Sequence, residues 1–335
     1  MTKDNSITLL VPTYNRVHFV ERCLLHFNRD ECAYRIIIAD GSHDKEKKAN
    51  EALTVELGQN LNVEYHSFPT ELSFSERCYE ALNLVKTPYS AMHADDDFYF
   101  TDGYNELATA LESRPDLIAV QGRIMIVRRE NEHFRVMPYL YQDVLQNTPV
   151  ERLMWHMRSY RPTFYSLHRT ETFTKALKNA VACKSFWPRM FEISLSALIA
   201  IQGRFAFVDT FQGIRESHAE ALSKNDMNWN AIAVSPKFSE VLDLYARVIA
   251  EEIYRNEQNA IIAGKGNSKG VSLQDLDNDV RKAFLAFLKI ALVPSSRPRV
   301  KELTSQSWET YDIFAKQKNL AQYSQKIRDS LKVFL

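Results

Sequence analysis

Four apolar runs separated by helical stretches fill the first 93 residues, and this alternation restricts the fold more than any other feature. Ser6 to Val11, Tyr34 to Ala39, Leu61 to Tyr65 and Tyr89 to His93 are short and strand-like, and the first two carry consecutive apolar residues at Leu9-Leu10-Val11 and Ile36-Ile37-Ile38-Ala39, as expected of strands covered on both faces. Between them, Val17 to Asn28 places Phe19, Val20, Cys23, Leu24 and Phe27 at helical spacing. Lys45 to Leu57 reads as a polar helix, and another starts near Ser73 or Ser75 and runs to Val85, ahead of Thr87-Pro88. Pro12 is expected to end the first strand. Strand, helix, strand at this spacing requires right-handed crossovers and a mostly parallel sheet. The expected fold class is α/β, a Rossmann-like sheet flanked by helices.

Past Asp102 the pattern loosens. The spacing predicts a helix to Glu112, a strand at Leu117 to Val120, and a hairpin pairing Ile124 to Val127 with Phe134 to Met137. Glu151 to Arg158 and Thr170 to Ala180 read as helices and Thr163 to Leu167 as a strand. Phe191 to Ile201 is an apolar helix with Gly203 as its expected C-cap, and Phe205 to Val208 is a further strand. Beyond residue 225 the pattern is helical: Phe238 to Asn256, Leu273 to Leu292 and Trp308 to Phe334. A division therefore falls between residues 1–224 and a helical part at 225–335. Gly264 to Gly270 is glycine- and lysine-rich but matches no phosphate-loop pattern, and reads as an interhelical connection.

Composition removes several function classes. Forty-two Lys and Arg balance 42 Asp and Glu, so the broad basic field needed for nucleic acid is missing. The longest apolar runs are too short to span a bilayer, and the N-terminus enters a strand-like run with no apolar signal core. Cys23, Cys32, Cys78 and Cys183 form no CxxC pair and are expected to be reduced thiols of a cytoplasmic protein.

In an open α/β sheet, ligands bind beyond the carboxyl ends of the strands, and there the sequence turns polar. The first strand runs into Pro12-Thr13-Tyr14-Asn15-Arg16, the second into Asp40-Gly41-Ser42, and the fourth into Asp95-Asp96-Asp97. Three adjacent carboxylates repel one another unless something neutralises them. Mg²⁺ and Mn²⁺ prefer carboxylate oxygens and often share their shell with a diphosphate, so the triplet suggests a metal site. An acidic loop capping the helix near Asp102 is the plainer alternative. Asp40 fits either turn chemistry or acceptance from a base N–H or a ribose hydroxyl.

The segments Val11 to Arg16 (VPTYNR), Ile36 to Asp44 (IIIADGSHD) and Tyr89 to Gly103 (YSAMHADDDFYFTDG) together resemble glycosyltransferase family 2. The resemblance covers roughly residues 5 to 220. It implies a GT-A fold and a nucleotide-sugar donor, with Pro12, Thr13, Tyr14, Asn15, Arg16 and Asp40 around base and ribose. The family's Asp-x-Asp motif implies a metal ligand at Asp96 or Asp97, with Asp95 toward the ribose or the metal's waters. Ala39 departs from the acidic pair common in the second motif. Anchoring on Thr101-Asp102 favours Asp96; a literal reading favours Asp97.

The same resemblance points to an acidic residue at the start of a helix that precedes a glycine and a strand. Glu192 matches, and it is the only carboxylate between Glu171 and Asp209. A lone carboxylate in apolar surroundings has a raised pKa, suited to a general base; complementing the helix dipole is the alternative. His218 matches the histidine that completes the metal or diphosphate site, and Arg215 suits phosphate oxygens. The resemblance thus implies an inverting, Mn²⁺- or Mg²⁺-dependent transfer from a nucleotide sugar, most commonly UDP-linked, to a glycan or lipid-linked acceptor in surface-polysaccharide synthesis. Two rivals remain at this stage: a sugar nucleotidyltransferase, which would need a glycine-rich basic loop after the first strand, and an inactive sugar-nucleotide-binding scaffold. From Lys289 onward nine basic residues face four acidic ones. Packing or oligomerisation, aided by Trp308, Tyr311, Phe314 and Tyr323, is the favoured reading of these helices. Peripheral contact with the inner membrane face is the other.

Overall fold

The computed structural model describes residues 4–130, 133–138, 141–185, 187–218, 227–262, 271–292 and 303–304. Strand β1 (Asp4–Thr13) leads through α1 (Val17–Arg29), β2 (Tyr34–Asp40), α2 (Asp44–Leu57), β3 (Asn62–Ser67) and α3 (Phe74–Leu82) to β4 (Tyr89–Met92). There follow β5 (Phe98–Tyr99), α4 (Thr101–Ser113), β6 (Leu117–Glu130), β7 (His133–Pro138), α5 (Pro149–Arg158), β8 (Leu167–Arg169), α6 (Thr170–Ala182), α7 (Pro188–Gln202) and β9 (Arg204–Glu216). The remaining elements are α8 (Trp229–Ala233), α9 (Phe238–Ile262), α10 (Leu273–Leu292) and β10 (Leu303–Thr304).

The sheet runs in the order β10-β7-β6-β8-β4-β1-β2-β3, with β9 paired to β5 and β6. β1 lies parallel to both β2 and β4, and β2 parallel to β3. The alternation of side chains along β1 and β2 explains their consecutive apolar residues. Ile7, Leu9, Val11, Ile36 and Ile38 face one core with α1 and α4, whereas Leu10, Ile37 and Ala39 face a second with α3, α6 and α7. Ser73 starts α3 through a reciprocal capping box with Glu76, and Thr148 does the same for α5 with Glu151. α7 is buried nearly all round from Met190 to Ile201, as befits a helix in the middle of a core.

Several expectations need correction. Pro12 does not end β1; it stays in register opposite Ala39, and pairing continues to Thr13. Leu117 to Val120 and Ile124 to Val127 belong to one strand, β6, and Phe205 to Val208 extends to Glu216, because β6 and β9 pair along most of their lengths. β8 covers Leu167–Arg169 rather than Thr163 to Leu167. The parallel strands β1 to β4 continue into a half of the sheet where β4–β8, β6–β7 and β6–β8 pair antiparallel. Gly203 follows α7 in extended backbone, not in a left-handed cap. Its lack of a side chain matters because a Cβ there would overlap Ile118.

The helical part is built onto the rest. Leu276, Val280, Ala283, Phe284, Phe287 and Leu288 form the buried stripe of α10, which packs on α5 and α9. These side chains share one hydrophobic cluster with α5, α6, α7 and strand residues Leu10 and Ile37. Each large buried side chain contributes about 1.5–3 kcal/mol. The Gly264 to Gly270 connection and the segment from Trp308 to Phe334 lie outside the described residues. All four cysteines are buried and free.

Two buried histidines predict how stability varies with pH. Burial pushes His156 down to about 4 and His168 down to about 3. His168 stacks on Phe173 with ring centroids 4.2 Å apart and donates through Nε2 to the Thr163 carbonyl at 3.1 Å. Below about pH 6.5 the unfolded chain takes up protons that these rings refuse, so stability is full above that pH and falls as pH drops toward 4. Each histidine contributes a slope of about 1.4 kcal/mol per pH unit in that window. Urea midpoints measured from pH 7 to 4.5 should fall, and His168→Phe should flatten the fall. An unchanged slope in that variant refutes the assignment.

Candidate functional site

The loops following β1, β2 and β4 meet at one edge of the sheet. Asn15 adopts a left-handed backbone, φ 57°, a conformation asparagine tolerates better than most residues. It stitches two loops together: its N–H donates to Ser42 Oγ at 2.7 Å, and its Oδ1 accepts from the His43 N–H at 2.9 Å. Tyr14 is left 43% exposed at this edge, its ring 5.8 Å from that of His43. Pro12 and Thr13 are buried strand residues, and Thr13 Oγ1 donates to Asp95 Oδ2 at 2.8 Å.

Asp40 is buried with both oxygens engaged. Oδ1 accepts from the Ser42 N–H at 2.7 Å, and Oδ2 from Asn50 at 2.7 Å and Tyr65 at 2.9 Å. In this geometry it shapes the Asp40-Gly41-Ser42 turn. Burial and the neighbouring Asp40 charge push the Tyr65 phenol upward.

The three consecutive aspartates go three different ways. Asp95 turns inward to Thr13 and Arg16; Asp96 meets Arg16 at 3.0 Å and His218 Nε2 at 2.9 Å through one oxygen, Oδ2. Asp97 points to the other side, where Oδ1 accepts from the Glu216 N–H at 3.0 Å and Oδ2 lies 3.4 Å from Arg215 Nε. Burial pushes the Asp95 and Asp97 carboxyls up, against the pull of Arg16 and Arg215. Burial acts on Asp96 too, but the His218 hydrogen bond and Arg16 outweigh it and hold Asp96 low. Arg22 ties the loop down by donating to the Asp96 carbonyl at 2.8 Å while pairing with Glu216 at 2.7 Å.

This arrangement separates the candidate metal ligands. Octahedral Mg²⁺ bonds oxygen at roughly 2.0–2.1 Å, so neighbouring ligands lie about 3 Å apart. Asp96 Oδ2 and His218 Nε2 lie 2.9 Å apart in a hydrogen bond, a spacing that a cation would share only in place of the Nε2 proton; Asp97 is turned to Arg215. Among the described residues no group of three or more His, Cys, Asp or Glu side chains is arranged to hold a metal. The remaining coordination would have to come from ligand oxygens and water.

Glu192 belongs to the second turn of α7, because that helix begins at Pro188 rather than Phe191. Compensation of the dipole fades beyond the first turn, which weakens that explanation of the residue. Its Oε1 accepts from the Tyr160 phenol at 2.8 Å. The two halves of the site meet around Tyr165. Burial raises that phenol most, Arg215 opposes, and the charges of Asp97, Glu192 and Asp96 all bear on it. Arg215 lies over the Tyr165 ring at 4.1 Å and donates to its hydroxyl at 3.0 Å. Arg215 is thus a β9 residue engaged with Asp97 and Tyr165.

One residue of the site escaped the sequence reading. Arg77 is 3% exposed, and its guanidinium packs against Gly41, where a Cβ would overlap it, and lies 5.8 Å from the Tyr14 ring and 6.0 Å from Phe74. Among the described residues no hydrogen bond or ion pair engages the Arg77 side chain, and its Nε is buried without a partner. Burying an unpaired cation is costly, and the Tyr14 and Phe74 rings are what the structure sets beside this one. The available signal was positional: Arg77 lies three residues after Phe74 and beside Cys78, on the buried face of α3. Of the aromatic stripe, Trp155 is exposed and donates to the Asp143 carbonyl at 2.9 Å, whereas Phe164 and Tyr165 line the interior.

The sequence model described as Glycosyl transferase family 2 matches residues 8–194. No curated protein sequence matches the chain. Among solved structures, S. aureus TarS 1–349 is 10% identical, with 85% of this chain and 91% of that one covered at a TM-score of 0.49. The same fragment in complex with UDP-GlcNAc is 13% identical over 84% and 81%, also at 0.49. The mannosyltransferase PcManGT from Pyrobaculum calidifontis, in complex with GDP-Man and Mn²⁺, is 13% identical over 86% and 87% at 0.44.

Proposed function

Because the chain belongs to glycosyl transferase family 2 and is a nucleotide-sugar glycosyltransferase, we propose that it transfers the sugar of a UDP-sugar, with inversion, to a hydroxyl of a glycan or lipid-linked acceptor. The observation that carries the donor half of this reading is Arg77, a buried guanidinium without an anion beside Gly41 and Tyr14. In the proposal the nucleotide lies across the carboxyl ends of β1, β2 and β4. Tyr14 offers its exposed ring to the base, Asp40 holds the turn that lets Gly41 approach, and Arg77 takes a polar or anionic group of the nucleotide. Pro12, Thr13 and Asn15 act from behind by fixing the loop.

Asp96 and His218 are the residues that would hold Mn²⁺ or Mg²⁺, and that ion, when bound, supplies positive charge to the departing diphosphate. Arg16, which pairs with Asp95 and Asp96, keeps those carboxylates from repelling each other. Arg215 neutralises Asp97. Glu192 takes the proton of the acceptor hydroxyl as it attacks the anomeric carbon from the face opposite the leaving group. In the proposal residues 1–224 carry this chemistry and residues 225–335 are a second unit, whose described helices are α8, α9 and α10. No helix among the described residues is long and apolar enough to cross a membrane; contact with the inner membrane face, to meet a lipid-linked acceptor of surface-polysaccharide synthesis, belongs to the proposal.

Thermal unfolding with a panel of nucleoside diphosphates, each with and without Mn²⁺, tests the donor half. UDP with Mn²⁺ at 100 times Kd should stabilise the protein by about 2.7 kcal/mol. Arg77→Ala should remove most of that gain, and Arg77→Lys should restore part of it. No shift with any nucleotide, or an undiminished shift in Arg77→Ala, refutes the reading.

A further inference from the structure

Tyr160 follows α5 and is half-buried. Its O–H donates to Glu192 Oε1 at 2.8 Å, and its ring stands edge-on to Phe287 of α10, centroids 5.2 Å apart at 70°. His156 braces it from α5, centroids 5.5 Å apart at 67°. Phe287 is itself 5% exposed and meets Trp229 of α8 edge-on at 4.9 Å and Phe284 at 5.9 Å. The ring that bonds Glu192 therefore rests on helices that lie beyond residues 8–194, the span matched by the family.

A phenol in this position does two things to a carboxylate. Its O–H favours the ionised form, which lowers the pKa of the acid. By holding Oε1 it also limits the rotation of the carboxylate. The second effect depends on the ring being held, from α5 by His156 and from α10 by Phe287. The edge-on contact with Phe287 is the one that reaches it from outside α5.

We propose that Tyr160 is a positioning residue for Glu192 and that Phe287, through Tyr160, makes the helical part of the chain a determinant of acceptor deprotonation. The inference rests on Glu192 being the base. Other titratable and charged groups near this pair are Arg161, whose guanidinium donates to the Tyr160 carbonyl at 2.8 Å, Arg189 one turn earlier on α7, Tyr165, whose phenol feels the Glu192 charge, and His156. His156 stays neutral across the working range because burial pushes it down to about 4.

The test is the pH profile of kcat for the full-length protein. Tyr160→Phe keeps the ring and removes the hydrogen bond. It should lower kcat about tenfold, move the acid limb to higher pH by about one unit, and leave the donor KM unchanged. Phe287→Ala should move the limb the same way, Phe287→Leu should recover most of the loss, and the double variant should be no worse than Tyr160→Phe alone. Glu192→Gln is the control. If it still transfers sugar, the base assignment fails and this inference with it. If it is inactive while Tyr160→Phe retains the wild-type kcat and profile, the base stands and the positioning role is overturned. Tyr160→Phe effects without any effect of Phe287→Ala overturn the link to the helical part.

Discussion

Asp96→Asn should weaken Mn²⁺-dependent UDP binding by at least about 10²-fold, while Asp97→Asn should leave it nearly unchanged. Loss of outer-sphere partners alone typically costs 10–100-fold in metal affinity, so loss of a direct carboxylate ligand should reach about the upper end of that range or beyond it. The two substitutions are chemically identical and one residue apart, which makes the contrast informative. Asp96 shares a 2.9 Å edge with His218, whereas Asp97 is spent on the Glu216 N–H and Arg215. Calorimetric titration of UDP with and without Mn²⁺ measures both. Equal losses in the two variants, or an unaffected Asp96→Asn, would falsify the proposed cation site.

Glu192→Gln should leave donor affinity intact and lower the transfer rate by roughly 10²-fold or more, the usual contribution of a positioned base. Glutamine preserves the size of the side chain and can still accept from Tyr160. What disappears is the capacity to take a proton. Turnover near the wild-type rate would move the base elsewhere, and the structure leaves few candidates. Asp209 is paired with Arg123 at 2.5 Å, and Asp143 accepts from the Phe207 N–H at 2.7 Å. Single-turnover rates at saturating UDP-sugar, beside a binding titration, separate the two quantities.

Reading the chain in order already located the edge of the sheet where these variants cluster. The runs Ser6 to Val11 and Tyr34 to Ala39 must bury both faces, and side chains of β1 and β2 do alternate between two cores. Helix positions followed from local signals that act within a few residues, such as the apolar stripe of α1 and the Ser73–Glu76 cap. Features made by pairing over long separations were less legible. The length of β9 depends on β6, nearly ninety residues earlier, so the strand expected at Phe205 to Val208 runs on to Glu216. Arg77 drew no reading from the sequence, and only the packing of Gly41, Tyr14 and Phe74 around it reveals a buried cation.

The sequence alone thus determined the α/β class, the polar edge formed by residues 12–16, 40–42 and 95–97, and the resemblance that named the family. Those properties depend on local periodicity and on residue types at strand ends, which a linear chain displays directly. The tertiary structure alone decided which partners each of three adjacent aspartates takes, because Asp95, Asp96 and Asp97 differ only in partners 79 to 122 residues away. It also decided that Glu192 is held by Tyr160, 32 residues earlier, and that Tyr160 is held by Phe287. A side chain's charge state and direction are set by what surrounds it, and those surroundings come from parts of the chain that meet only on folding.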